Sequence, residues 1–88
     1  DYQLTLDARR NQLMSQLKKY EDALIYYEIE GKSLSEEIFK TAKVSYKNGE
    51  IDFFQYIQSL ENAFGILLTH LNNLNLYNQT IIKLNYLT

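Results

Sequence analysis

The chain of 88 residues has no proline, no cysteine, three glycines and a single histidine. Each shortage excludes something. Small domains use proline and glycine to turn their loops, so their scarcity leaves room for very few reversals and favours long helices. Without cysteine there are no disulfides and no thiolate metal sites, which fits an oxidising compartment as well as a reducing one. Nine basic residues stand against eleven acidic ones, spread along the chain. No basic patch exists to grip phosphates, which argues against nucleic acid as a partner. No run of 18 apolar residues appears, so no direct membrane span as a helix is expected. The chain starts at Asp1 with no methionine, basic n-region or apolar h-region. That start reads as a fragment of a larger protein, with any signal or membrane part expected outside it.

What is present is a mirror-symmetric apolar pattern centred on Asn48-Gly49. Leu13, Leu17, Tyr20, Leu24, Tyr27, Leu34 and Ile38 precede that point at spacings of 3 and 4, with one gap of 7. Phe53, Tyr56, Leu60, Ala63, Leu67, His70, Leu74, Tyr77, Ile81 and Leu84 follow it at alternating spacings of 3 and 4. Folding the chain back at Gly49 brings residues level whose numbers sum to 97 or 98, such as Leu13 with Leu84, Tyr20 with Tyr77, Leu24 with Leu74 and Leu34 with Ala63. One register satisfies both stripes. This predicts an all-α fold, a long antiparallel coiled-coil hairpin occupying 1–88 as a single unit. The expected parts are a helix over 2–47, a tip at 48–50 and a helix over 51–86. The second helix would be about 54 Å long.

Gly31-Lys32-Ser33 is the weak point of the first helix. Gly31 suits a helix terminator, and Ser33 with Glu36 spells a capping box for a new helix. The stripe nevertheless keeps its phase from Tyr27 to Leu34, which favours a continuous or kinked helix. A three-helix arrangement with breaks near 31–33 and 48–50 competes with it. Gly31 and Gly65 come nearly level, which suggests a close approach or a shared kink, with coincidence as the alternative. At the tip, Asn48-Gly49 accepts positive φ, and Glu50 and Asp52 place negative charge in the first turn of the second helix.

A second apolar stripe flanks the first. Ile57, Phe64 and Leu71 lie beside the seam of the second helix, with Phe54 and Leu68 further out, and Phe39, Ala42 and Tyr46 do the same on the first. One hairpin needs one seam per helix, and two seams belong to bundles or closed rings of helices. Self-association is therefore expected, a dimer of hairpins in a four-helix bundle for the fragment.

Catalytic chemistry has little support. His70 falls on the apolar stripe opposite Tyr27, without carboxylates at ligand spacing, so a packing role is expected and no metal. No Ser-His-Asp set can be assembled around it, and no glycine-rich phosphate loop exists. Glu36-Glu37 and Glu50 with Asp52 are explained as helix starts. Asn78-Gln79-Thr80 matches a glycosylation sequon but falls on a regular helix and is read as chance. No enzyme activity and no cofactor are expected.

Ser45-Tyr46-x-x-Gly49, the cluster Phe53, Phe54 and Ile57, then Leu60-x-Asn62-Ala63 and Leu71, Leu74, Tyr77 and Leu84 resemble the last coiled-coil hairpin of TolC-type outer-membrane efflux channels. The Gly49-Glu50-Ile51 tip and the Tyr77-Asn78-Gln79-Thr80-Ile81-Ile82-x-Leu84 ending are similar to the variety linked to heavy-metal efflux. The resemblance covers most of the chain and is strongest over 40–88. It implies a periplasmic segment of a bacterial outer-membrane or envelope-spanning transport protein, with hairpins side by side in a hollow cylinder as a higher oligomer. Tyr46, Lys47, Asn48, Gly49, Glu50, Ile51 and Asp52 would form the tip that faces a periplasmic adaptor, which connects to an inner-membrane pump. Many family members carry an arginine or a threonine-arginine pair just after the tip glycine, whereas Glu50, Ile51 and Asp52 stand here. The hairpin of the adaptor itself and a generic helical scaffold are the competing functions.

Overall fold

A first helical arm runs from Tyr2 to Lys47 and a second from Phe53 to Leu87 in the computed structural model, which describes residues 1–87. Thr88, the end of the expected 1–88 unit, lies outside the described residues. The first arm comprises α1 (Tyr2–Tyr26), one π turn (Tyr27–Gly31) and α2 (Lys32–Lys47); the second arm is α3 (Phe53–Leu87). No strand occurs among the described residues. The molecule measures 67 × 22 × 15 Å, the envelope of two helices lying side by side. The antiparallel hairpin and its all-α class are thus observed, with the second helix starting two residues later than expected.

The register matches the mirror pattern. Tyr27 stacks on His70 with ring centroids 3.7 Å apart. Ser35 Oγ donates to the carbonyl of Ala63 at 3.1 Å. Both pairs lie on the 97–98 sum.

The seam has two regimes. Towards the open end it is lined by large residues, with Leu13 buried and Leu17, Tyr20, Leu24, Tyr77, Ile81 and Leu84 half-buried. Towards the tip it is lined by small ones: Gly31, Ser35, Ala42 and Ala63 are all buried. Short side chains at these positions let the two backbones approach, with Ile38, Tyr56 and Leu60 half-buried between them. Much of the remaining apolar bulk of the tip half, such as Phe54, Phe64 and Leu68, lies on the flanks. Leu13, Ala42 and Ala63 are the buried apolar residues among those described, and no large side chain there is fully enclosed.

The first arm does not break at Gly31. The Lys32 N–H donates to the Tyr27 carbonyl, five residues back, and closes a π turn. Gly31 keeps right-handed helical dihedrals (φ −64°, ψ −43°), so it terminates nothing, and Ser33 caps nothing. The π turn absorbs one extra residue in the heptad pattern. Before it the seam runs through Leu13, Leu17, Tyr20, Leu24 and Tyr27; after it, through Gly31, Ser35, Ile38, Ala42 and Ser45. Two expectations are corrected by that rotation. Leu34, placed on the seam, is 49% exposed, and Ala42, placed on the outer stripe, is buried.

The second arm also departs from a strict repeat. Leu74 and Phe53, both placed on the seam, are exposed, while Asn73 and Leu76 are half-buried and Thr80 is buried. A straight α-helix drifts about 20° per heptad against a 3.5-residue repeat, which carries the seam from one flank of the predicted stripe towards the other. Thr80 is accommodated because its hydroxyl donates to the Leu76 carbonyl at 2.8 Å. Phe53 is simply the first helical residue beyond the tip.

Candidate functional site: tip and flanks

The seven residues expected at the tip are brought together at one end. Tyr46 and Lys47 close α2, and Asn48 to Asp52 make the connection. Asn48 takes φ −86°, ψ 0°, and Gly49 takes φ 76°, the positive value for which glycine is suited. The Gly49 N–H donates to the Tyr46 carbonyl at 3.1 Å and the Glu50 N–H to the Ser45 carbonyl at 2.9 Å. This pair of bonds is a Schellman motif, and it satisfies carbonyls that a helix end leaves unpaired.

The acidic residues act differently from expectation. Neither Glu50 nor Asp52 lies in the first turn of α3, because that helix begins at Phe53. Asp52 is instead the N-cap: its carboxylate accepts from the Gln55 N–H at 2.7 Å, and Gln55 Oε1 accepts from the Asp52 N–H at 3.1 Å. Aspartate and glutamine three apart close a reciprocal capping box. That spelling was present in the sequence, and Gln55 is the tip residue the apolar pattern missed. Both ends of the reversal are consequently tied by main-chain and side-chain bonds.

An aromatic collar sits just behind the tip. Tyr46 stacks on Tyr56 at 4.7 Å and meets Phe53 edge-on at 6.0 Å. Phe53 and Phe54 remain largely exposed, at 61% and 76%. Of the seven tip residues, only Ile51 is half-buried. The tip is a stiff, aromatic, mostly solvent-facing knob.

The two flanks of the hairpin differ. One carries Ile57, Phe64, Leu68 and Leu71 of α3, all exposed, with Phe39 of α2 edge-on to Phe64 at 6.2 Å. The other holds a groove of about 520 Å³ beside the π turn. Tyr27 and Gly31 form its wall on the first arm, and Asn62, Gly65, Ile66 and His70 are among its α3 lining. The two glycines do share one height here, yet they do different things. A β-carbon on Gly31 would stand 2.9 Å from Tyr27 Cδ2 and 3.6 Å from Ile66 Cγ2, whereas one on Gly65 would meet nothing within 4 Å. His70 Nδ1 is buried without a hydrogen-bond partner. No group of three or more histidine or acidic residues is placed to hold a metal among the described residues. No helix there is long and apolar enough to cross a membrane.

Comparison with known proteins finds no matching family model, no matching curated protein and no matching solved structure.

Proposed function

We propose that the chain is a periplasmic coiled-coil segment of an outer-membrane efflux channel in a tripartite heavy-metal or cation export system. It forms part of the channel wall and presents Tyr46–Asp52 to a periplasmic adaptor, beyond which lies an inner-membrane pump. The supporting observation is a hairpin 67 Å long whose seam buries few apolar residues while both helix ends at the tip carry caps. A wall element needs length, lateral stickiness and a tip of fixed shape, and this chain has those three properties. The sequence resemblance supplies the particular setting. In this proposal the chain has no catalytic, cofactor-binding or metal-binding residue of its own.

A photo-reactive residue replacing Asn48, introduced into the parent protein in a bacterial envelope, tests the docking role. Cross-links to the hairpin of a periplasmic adaptor are expected, with none from the same residue placed at Gln12. Cross-links to cytosolic proteins, or equal labelling from both positions, contradict the proposal.

A further inference from the structure

We infer that the groove beside the π turn is a binding site for a small, uncharged aromatic alcohol of the phenol or naphthol class. The inference stands apart from the channel-wall reading and uses only residues of this chain.

The first observation is an absence of charge. Four other surface grooves each include charged side chains, such as Glu36 and Lys40 in one and Arg9 and Lys83 in another. The groove between Tyr27 and Ile66 has none in its lining. An ion seated there would lose water without gaining a counter-charge, whereas a neutral ring gives up little. The volume of about 520 Å³ and the mainly apolar lining with a few polar groups are those of a small-molecule site.

The second observation is how the space arises. A side chain at Gly31 would collide with the Tyr27 ring, so that glycine is required by the chain itself. Gly65 stands at the outer edge of the groove, on the same face of α3 as Leu68. A β-carbon there would meet nothing within 4 Å, so no neighbour requires this glycine, although it weakens the helix relative to alanine. Its bare backbone leaves the way into the groove open. The wall on the first arm is a single π turn, a device that helices frequently place at functional sites.

The third observation is the chemistry of the walls. Tyr27 and His70 stack at the inner side, and Tyr26, 61% exposed, lines the groove farther out. Aromatic walls favour a flat ring through offset or edge-on contact. His70 Nδ1 is enclosed and unpaired, so any polar contact from this imidazole to an occupant comes from Nε2. Asn62, Thr69 and Asn73 also line the groove and make no side-chain hydrogen bond within the described residues. A phenolic hydroxyl both donates and accepts, so it can pair with an imidazole nitrogen, an amide or a hydroxyl.

2-Naphthol is the probe, because its fluorescence separates from that of tyrosine and the chain has no tryptophan. Titrated with the 88-residue chain, it is expected to show saturable one-to-one binding. Gly65→Leu places a side chain at the groove's edge and should weaken binding at least about tenfold. Thr69→Leu, at a second exposed lining position, should do the same, and both variants should keep their helical circular dichroism. Leu71→Glu, exposed on the opposite flank, should leave binding unchanged. His70→Phe keeps a ring and removes the nitrogen; it should weaken 2-naphthol about fivefold and leave 2-methylnaphthalene, which lacks the hydroxyl, unaffected. Absence of saturable binding, loss of binding in Leu71→Glu, or binding that survives both filling substitutions overturns the site. Tighter binding of the anion 2-naphthoate overturns its neutral character, and equal loss of both probes in His70→Phe overturns the assignment of an alcohol.

Discussion

Tyr27 and His70 stack face to face across the hairpin, centroids 3.7 Å apart and planes 11° from parallel. They lie where the large-residue seam gives way to the small-residue one. The pair fixes the relative height of the arms near their midpoint, at the start of the π turn that resets the phase. The stack holds the imidazole so that Nδ1 is buried and unpaired.

Replacing His70 therefore separates stacking from polarity. His70→Phe keeps a flat ring and removes the unpaired nitrogen, so its melting temperature should equal or exceed that of the parent. His70→Ala loses the stack and is expected to cost about 2 kcal/mol. Thermal unfolding by circular dichroism, repeated at several protein concentrations so that any shift from association is separated out, checks this. Equal destabilisation by both substitutions contradicts the assignment.

Ala63 is wholly buried and receives the Ser35 hydroxyl on its carbonyl. Ala63→Leu forces the arms apart and should cost about 1–3 kcal/mol or more. Ser35→Ala removes only the hydrogen bond, for about 1 kcal/mol. Urea midpoints rank the two; a harmless Ala63→Leu would mean that the arms do not approach closely there.

At the tip, Gly49→Val meets the left-handed conformation with a β-branched side chain and should cost about 1–2 kcal/mol. Asp52→Ala removes the cap of α3, for about 1 kcal/mol. Asn48→Ala, whose backbone is right-handed, should be nearly silent. Chemical denaturation of the three variants decides whether the reversal is built as described.

The π turn makes its own prediction. Deleting Glu30, an exposed residue within it, returns the first arm to a regular α-helix and leaves the seam on both sides in phase. The deletion variant should keep a cooperative melt. Removing Asn75 from the uninterrupted α3 shifts every seam residue after it and should sharply lower the melting temperature. Comparable losses for the two deletions would show that the extra residue is not absorbed at 27–31.

The reversal at Asn48-Gly49 and the register were legible in the apolar spacing, because large residues at heptad positions mark a seam wherever a seam can hold them. The tip half followed that logic only in part. Ile38, Leu60 and Ala63 lie on the expected stripe, but Gly31, Ser35 and Ala42 complete the buried seam there, and apolar counting gives such residues little weight. Leu34 continued the heptad in number, but the π turn moved it off the seam in space. Nothing in composition announces a π turn. The seven tip residues cluster at the reversal, as Asn48-Gly49 implies, while the roles of Glu50 and Asp52 depend on where α3 begins. The groove was only hinted at by two glycines at one height, since its openness depends on what surrounds Gly65.

The most direct test of the central claim, two arms reversed at Gly49, is a spin-label distance. The chain has no cysteine, so labels at cysteines replacing Gln12 and Lys83, both exposed, are unambiguous. Dilution with unlabelled protein isolates the distance within one chain. Helices packed about 8–10 Å apart place the two labels within roughly 20–30 Å of each other, allowing for their linkers. An unreversed helix would separate these positions by about 105 Å, and a distribution near that value contradicts the hairpin.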